Sequence, residues 1–151
     1  MPSFIYKGER KMNDCIFCKI VKGDIPSYKI YEDDTCISFL DISQLTKGHL
    51  LVVSKNHYSN FLEIDPEVLS HIVKVGQKIA KEFIKINPSI KGFNIINNCN
   101  EISGQSVMHF HLHIIPRYEK DEFGFIENKK EVSKKEMEEI TELLKRNLTK
   151  K

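Results

Sequence analysis

The pattern of apolar and polar positions along the chain predicts a mixed fold of strands and helices. Five runs have the length and alternation of β-strands: 28–31, 35–41, 49–53, 93–97 and 107–115. The polar turn Glu32-Asp33-Asp34 between the first two runs is typical of a β-hairpin. Pro116 follows the last run and predicts that this strand ends there.

Helical periodicity appears in two places. Asp65 and Pro66 predict a helix start, with Asp65 as N-cap and Pro66 in the first turn. The proline after Asn87 predicts the end of this helix. A second helix is predicted near the C-terminus, where Ser133 and Glu136 form a capping box. The two apolar faces comprise Leu69, Ile72, Val73, Gly76, Ile79, Ala80, Phe83 and Ile84, and then Met137, Ile140, Leu143 and Leu144.

Composition and charge restrict the classes of function. The chain has 151 residues, and its 23 basic and 21 acidic side chains leave a net charge of +2. This charge gives no reason to expect binding of polymeric nucleic acid. No apolar run approaches the ~20 residues of a membrane span, so we expect no membrane association and a cytoplasmic location. We expect one α+β domain over residues 1–151, with a loosely ordered extension at 1–11 and a helix-bearing C-terminal segment at 119–151.

The four cysteines do not suggest a disulfide scaffold, because no secretion signal precedes them. Cys36 and Cys99 lie in strand-like stretches and are interpreted as plain buried thiols. Cys15 and Cys18 have the spacing of a metal-binding turn or of a redox dithiol. Redox pairs normally follow a strand, which is missing here, so zinc is favoured. Two further ligands are then required.

Three histidines alternate along the last predicted strand, at His109, His111 and His113. Alternate residues of a strand share one face, so Phe110, Leu112 and Ile114 are expected to point into the core. Imidazole suits nucleophilic, acid–base and metal-binding chemistry near neutral pH. The row therefore predicts a functional site. Among the other histidines, His49 is a candidate functional residue at a strand start, whereas His57 and His71 are interpreted as structural or exposed.

The chain resembles the histidine triad (HIT) family, whose signature alternates histidine with apolar residues. The signature, together with the residues that usually precede it in the family, matches Gly104-Gln105-Ser106-Val107-Met108-His109-Phe110-His111-Leu112-His113-Ile114-Ile115. Upstream matches are Cys15-Ile16-Phe17-Cys18-Lys19-Ile20, Phe39-Leu40-Asp41-Ile42-Ser43, Gly48-His49-Leu50-Leu51-Val52-Val53 and Gly92-Phe93-Asn94-Ile95-Ile96-Asn97-Asn98. This resemblance implies a five-stranded antiparallel sheet with one long helix and a C-terminal helix.

The resemblance also implies a reaction and its residues. Family members hydrolyse or transfer nucleoside monophosphates through a nucleotidyl-histidine intermediate, so His111 would be the nucleophile. His113 would contact the α-phosphate, and Asp41 would bind the ribose hydroxyls. Asn98, Gln105 and Ser106 would contact phosphate or the leaving group. The implied base slot consists of Ile16, Phe17, Phe39 and Ile42.

Cofactor, substrate and partner follow from the same resemblance. Cysteine-bearing bacterial members imply a structural zinc held by Cys15, Cys18, His49 and His109. The expected substrate is a purine nucleoside phosphoramidate, with a dinucleoside polyphosphate as the alternative. Family members are commonly homodimers, so a homodimer is expected here.

Two other functions fit parts of the pattern. A three-histidine zinc hydratase or hydrolase would use His109, His111 and a third histidine to activate water. A nucleotide-binding interaction protein would keep the nucleotide-binding site but would not catalyse a reaction. Zinc stoichiometry measured together with nucleotide release distinguishes these possibilities from a histidine nucleophile.

Overall fold

The computed structural model describes residues 14–120 and 122–149, so the extension expected at residues 1–11 lies outside the described residues. The helices are α1 (Ile16–Lys22), α2 (Pro66–Ile86) and α3 (Lys134–Leu148), with a short 3-10 helix at Glu101–Ser103. The strands are β1 (Lys29–Glu32), β2 (Cys36–Leu40), β3 (Leu50–Ser54), β4 (Gly92–Ile96) and β5 (His111–Arg117). None of the helices among the described residues is long and apolar enough to cross a bilayer.

The five strands form one antiparallel sheet in the order β1-β2-β3-β5-β4, which confirms the expected α+β class. Each face of the sheet buries its own apolar cluster. On the face that carries α2, the cluster includes Leu50, Val52, Ile72, Phe110, Leu112 and Ile114. On the other face it comprises Cys15, Phe17, Ile37, Phe39, Leu51 and Val53. The predicted inward direction of Phe110, Leu112 and Ile114 is therefore confirmed.

Helix α2 begins and ends where the sequence predicts. The Asp65 carboxylate accepts hydrogen bonds from the backbone N–H groups of Glu67 and Val68, and Asn87 is the C-cap. A Cβ atom at Gly76 would lie 2.9 Å from Ile114 Cδ1. Because that distance is shorter than any ordinary carbon contact, the glycine allows α2 to approach β5 closely. The predicted capping box of α3 is also present.

Two expectations about strand β5 are wrong. The strand begins at His111 rather than at residue 107, so His109 lies in the preceding turn. Pro116 lies inside the strand, opposite Phe93 of β4, and does not end it. Proline is tolerated here because β3 begins at Leu50, opposite Ile114, so Pro116 has a neighbouring strand on only one side.

Asp33 holds the β1–β2 hairpin together. Its carboxylate accepts hydrogen bonds from the Tyr31 hydroxyl and from the backbone N–H groups of Thr35 and Cys36. His71 Nε2 on α2 lies 2.6 Å from the same carboxylate. Burial by itself raises the pKa of Asp33, but these hydrogen bonds outweigh it and leave the pKa well below its usual range.

We predict that Asp33→Ala lowers the free energy of unfolding at pH 7 by about 2–4 kcal/mol, since hydrogen bonds to a charged group are lost. A carboxylate with a lowered folded-state pKa stabilises the fold above its unfolded pKa of about 3.9. The contribution disappears as the pH falls through the folded-state pKa. Denaturant unfolding from pH 7 to pH 2 should show the deficit shrinking with acidity. The exposed neighbour Asp34 offers the control, since Asp34→Ala should cost less than about 0.5 kcal/mol at every pH.

Candidate active site and metal-binding cluster

The pairing of β3 with β5 sets the position of two triad histidines. His111 lies opposite Val53 and His113 lies opposite Leu51. Val53 and Leu51 belong to the apolar cluster on the face opposite α2, so both imidazoles emerge on that face. Phe17 of α1 lies over the same face, with its ring centroid 5.0 Å from the centroid of His111.

His111 has the tautomer that a nucleophile needs. Its Nδ1 lies 2.7 Å from the carbonyl oxygen of His109. A carbonyl can only accept, so Nδ1 carries the proton and Nε2 keeps its lone pair. Burial lowers the pKa of His111, although the His109 carbonyl partly opposes this effect. The ring is therefore neutral at neutral pH, with an unprotonated Nε2.

His113 is held by a second buried histidine. His49 Nε2 lies 2.9 Å from His113 Nδ1, and the Leu45 backbone N–H donates to His49 Nδ1 over 3.3 Å. With the Leu45 N–H donating to His49 Nδ1, we assign the proton of this pair to His49 Nε2, which then donates to His113 Nδ1. The remaining nitrogen, His113 Nε2, then bears a hydrogen. Burial, with the nearby His111 and His49, lowers the pKa of His113 to about 4.

Asp41 lies beside this histidine pair, at the end of β2. One carboxylate oxygen accepts from the Ser43 backbone N–H over 2.8 Å, and the other lies 3.6 Å from His49 Nε2. The Gln44 amide donates to the backbone carbonyls of Asp41 and His49 and closes the intervening loop. The loop thus fixes the direction of the carboxylate while its side chain stays one-fifth exposed.

The residues expected to form an apolar slot divide into two groups. Phe17 and Phe39 are buried and meet edge to face, with ring centroids 5.6 Å apart. Ile16 and Ile42 are exposed, by 42% and 84% of their surface. The structure therefore places Phe17 against His111 and Phe39 against Phe17, and it leaves the two isoleucines as exposed apolar side chains.

The loop between β4 and β5 supplies one residue that the sequence analysis did not identify. The Asn97 amide donates to the His111 carbonyl over 3.0 Å and so supports the backbone of that histidine. Asn98 packs against Gly104, whose φ of +107° favours glycine. Ser106 is exposed at the end of this loop.

The Gln105 side chain is hydrogen-bonded at both ends of its amide. Its amide nitrogen donates to the carbonyls of Ser59 and Val107, and its oxygen accepts from the Asn100 N–H. The side chain is 3% exposed. Because both ends of the amide are bonded to backbone, Gln105 braces the loop, and its contact with substrate stays a prediction.

Four potential metal ligands converge beside the triad: Cys15, Cys18, His57 and His109. Cys15 Sγ lies 3.3 Å from His109 Nδ1, and Cys18 Sγ lies 3.3 Å from His57 Nδ1 and 3.5 Å from His109 Nδ1. Ligands at zinc distances of about 2.0–2.3 Å in a tetrahedron are roughly 3.5 Å apart, so the set has suitable dimensions.

The environment of the cluster agrees with a metal site better than with a redox pair. His109 Nε2 lies 2.7 Å from the Ser54 carbonyl, which orients the ring with the Nδ1 lone pair toward the thiols. A redox dithiol needs a lowered thiol pKa. Here burial and the hydrogen bond with Cys15 raise the pKa of Cys18 to about 11. Cys15 caps α1, a short helix that the sequence analysis interpreted as a turn.

His49 is not part of this cluster, and the expected ligand set is corrected. His49 precedes β3, whereas His109 bonds to Ser54 at the other end of that strand. His57, just beyond Ser54, reaches the cysteines instead. Strand register is the physical reason, since antiparallel pairing brings the start of β5 next to the end of β3. His57 lies four residues after the predicted strand 49–53, and its place in the loop beyond that strand was the available signal.

A three-histidine metal site is not present in the part of the chain that the structure describes. His109 faces the two cysteines, and His111 Nδ1 is bonded to a carbonyl. The other potential ligand groups among the described residues are Asp33 with Cys36 and His71, and Asp41 with His49 and His113. The geometry therefore gives no support to the zinc hydratase alternative.

Comparisons with known proteins point to one family. The family model of the HIT domain matches residues 22–120. The protein named Protein hit, from Bacillus subtilis, is 47% identical over 114 residues, which are 75% of this chain and 78% of that protein. Adenosine 5'-monophosphoramidase hnt1 from Schizosaccharomyces pombe is 41% identical over 110 residues, which are 73% of this chain and 78% of that protein.

A solved structure bears on the cysteine and histidine cluster. The crystal structure of a zinc-bound histidine triad family protein from Mycobacterium smegmatis superposes with a TM-score of 0.71 and 36% identity. The alignment covers 78% of this chain and 85% of that one. At least one protein similar to this chain therefore contains zinc.

Proposed function

Because the chain belongs to the histidine triad family, we propose that it hydrolyses purine nucleoside phosphoramidates through a nucleotidyl intermediate on His111. The observation that carries the proposal is the hydrogen bond from His111 Nδ1–H to the His109 carbonyl, 2.7 Å long. This bond leaves Nε2 unprotonated in a buried, neutral ring. Such a nitrogen is a competent nucleophile toward phosphorus.

The reaction proceeds in two displacements. His111 Nε2 forms a bond to the α-phosphorus as the phosphorus–nitrogen bond breaks, and the leaving amine takes a proton from solvent. Water then displaces the histidine and releases the nucleoside monophosphate. His113 Nε2–H donates to a phosphate oxygen where negative charge grows in the transition state. We assign the hydrogen bond to the leaving group to Ser106, and a phosphate contact to Asn98.

The rest of the nucleotide is bound away from the reacting phosphorus. The Asp41 carboxylate accepts hydrogen bonds from the two ribose hydroxyls. Phe17 and Phe39 form the floor of an apolar slot for the base, and Ile16 and Ile42 form its exposed rim. Such a slot discriminates weakly between adenine and guanine.

We propose a structural zinc ion at Cys15, Cys18, His57 and His109. A closed shell of two cysteines and two histidines leaves no position for substrate, so the ion supplies stability rather than chemistry. These ligands would join α1, the loop after β3 and the turn before β5. Phe17 and the His109 carbonyl, which contact His111, lie on two of those three segments.

We predict that Asp41→Ala raises KM for adenosine substrates by roughly 10- to 100-fold and lowers kcat much less. Lost hydrogen bonds to a charged group are worth about 1.5–3 kcal/mol, and they act on bound substrate and transition state alike. Steady-state kinetics of AMP release measure both constants. Asp24→Ala, at an exposed carboxylate outside the site, is the control. A KM unchanged by Asp41→Ala would remove this residue from the ribose site.

The substrate class is tested by a rate comparison. Purified protein is given adenosine 5'-phosphoramidate, its guanosine analogue and diadenosine polyphosphates, and release of the monophosphate is followed. We expect kcat/KM to be highest for the phosphoramidates, with less than about a tenfold difference between the two bases. A preference for the polyphosphates would favour the second candidate, a dinucleoside polyphosphate hydrolase. Binding without turnover of any of these compounds would indicate a nucleotide-binding module.

A further inference from the structure

The loop between β4 and β5 contains one strained residue. Among the described residues, Asn100 is the only non-glycine residue with a positive φ. Its φ of 72° and ψ of 159° lie in a region that is normally restricted to glycine. Such a conformation persists only where surrounding contacts hold it, and it occurs most often at functional sites. The contacts of Asn100 therefore indicate what the strained conformation supports.

The side chain of Asn100 makes a long-range contact instead of a local one. Asn100 precedes the 3-10 helix Glu101–Ser103, where an asparagine normally caps the helix with its side chain, but that bond is not formed. Its Oδ1 instead accepts a hydrogen bond from Asn60 Nδ2 over 3.0 Å. Asn60 is buried, and its own Oδ1 accepts from the backbone N–H groups of Leu62 and Glu63. These bonds fix the direction of the Asn60 amide, so its donor is held toward the β4–β5 loop.

Two neighbouring hydrogen bonds join the same two loops. Gln105 Nε2 donates to the Ser59 carbonyl over 2.6 Å. The Phe110 backbone N–H donates to the Tyr58 carbonyl over 2.7 Å. Together with Asn60, three consecutive residues of the loop after β3 therefore hold the β4–β5 loop.

The position of Ser106 depends on these contacts. Its side chain is exposed, but the backbone on both sides of it is bonded. On one side, the Gln105 backbone N–H donates to the Asn100 carbonyl over 3.2 Å, and the Gln105 side chain accepts from the Asn100 N–H over 2.7 Å. On the other side, the Val107 carbonyl accepts from the Gln105 amide over 3.0 Å. The backbone around Ser106 is thus held through Asn100, either directly or by way of Gln105.

We propose that Asn60 and Asn100 are positioning residues, and that their hydrogen bond places the Ser106 hydroxyl against the leaving group of the substrate. The inference rests on the proposed function, which assigns that contact to Ser106. It also gives a reason for an asparagine where the backbone conformation favours glycine, because glycine could not accept the bond from Asn60. A reacting group that is misplaced by about 1 Å can lose roughly 100-fold in rate.

The test compares two leaving groups in single-turnover experiments with the full chain. Adenosine 5'-phosphoramidate releases ammonia, a poor leaving group that needs a hydrogen bond, whereas the p-nitrophenyl ester of AMP releases a stable anion. Asn60→Asp keeps an acceptor for the Leu62 and Glu63 N–H groups but removes the donor to Asn100, and Asn100→Gly removes the acceptor. Both variants should release ammonia about 10- to 100-fold more slowly, and p-nitrophenolate less than about threefold more slowly.

A second comparison tests whether the effect acts through Ser106. In a Ser106→Ala background, Asn100→Gly should slow ammonia release less than about threefold, because the group that Asn100 positions is already absent. Asn100→Asp keeps an acceptor oxygen for Asn60 and should stay within about threefold of the wild-type rate. Asn147→Asp, the same exchange as in Asn60→Asp but on the exposed α3, is the control and should leave both rates unchanged.

Three results would overturn the proposal: equal losses for the two leaving groups, an undiminished effect of Asn100→Gly in the Ser106→Ala background, or no loss at all. The first two are what a purely structural role predicts. Thermal unfolding checks the fold, and Asn100→Gly should keep its melting temperature within about 5 °C of wild type, since glycine suits this conformation. Wild-type protein that is inactive on both compounds would refute the proposed function itself, whereas an active wild type with fully active variants would refute only this inference.

Discussion

Alanine in place of His111 should reduce phosphoramidate turnover by at least about 1,000-fold, since in the proposed mechanism His111 alone forms the covalent intermediate. The affinity for the nucleoside monophosphate should change only a few-fold, because the proposed contacts of Asp41 and His113 with the nucleotide are retained. Single-turnover rates and equilibrium titration measure the two effects separately. His71→Ala, which replaces a histidine on α2 outside the site, is the control and should leave kcat unchanged.

The covalent intermediate itself can be detected. Rapid alkaline quenching of the wild-type enzyme should give a species heavier by one nucleoside monophosphate, located on the peptide that contains His111. Two successive in-line displacements retain configuration at phosphorus, whereas direct attack by water inverts it. Inversion with a chiral substrate, or an adduct on another residue, would refute a nucleophilic His111.

Exchanging both Cys15 and Cys18 for serine should release one zinc ion per chain and lower the melting temperature by about 10 °C or more. The reason is that two of the four donors in a closed structural shell are lost. Metal analysis and thermal unfolding measure the two effects. Because the proposed ion does not contact substrate, the double variant should keep measurable turnover below its lower melting temperature.

A pair of histidine variants tests whether His57 or His49 is the fourth ligand of the proposed zinc ion. His57→Ala should lose most of the metal, because His57 Nδ1 lies 3.3 Å from Cys18 Sγ. His49→Ala should retain the full metal content and instead reduce kcat, because His49 holds the tautomer of His113. The opposite pattern, or freshly purified wild-type protein without metal, would contradict the proposed site.

Local features of the fold were predictable because each is determined by neighbours in the sequence. Asp65 before Pro66 marks the start of α2, and Ser133 with Glu136 marks the start of α3, since a cap depends only on the next three residues. Alternation predicted that Phe110 and Leu112 face the core. The end of β5 was predicted wrongly, because whether this strand can include Pro116 depends on where its neighbour β3 begins.

The sequence by itself determined the fold class, the row of histidines and the family they indicate, because periodicity and motif order are properties of the linear chain. Only the tertiary structure decided which histidine meets the cysteines. The choice between His49 and His57 depends on the register between β3 and β5, which joins residues more than 50 positions apart. The same long-range pairing brings His49 into contact with His113. Such contacts are determined by strand pairing across the sheet, which local sequence does not encode.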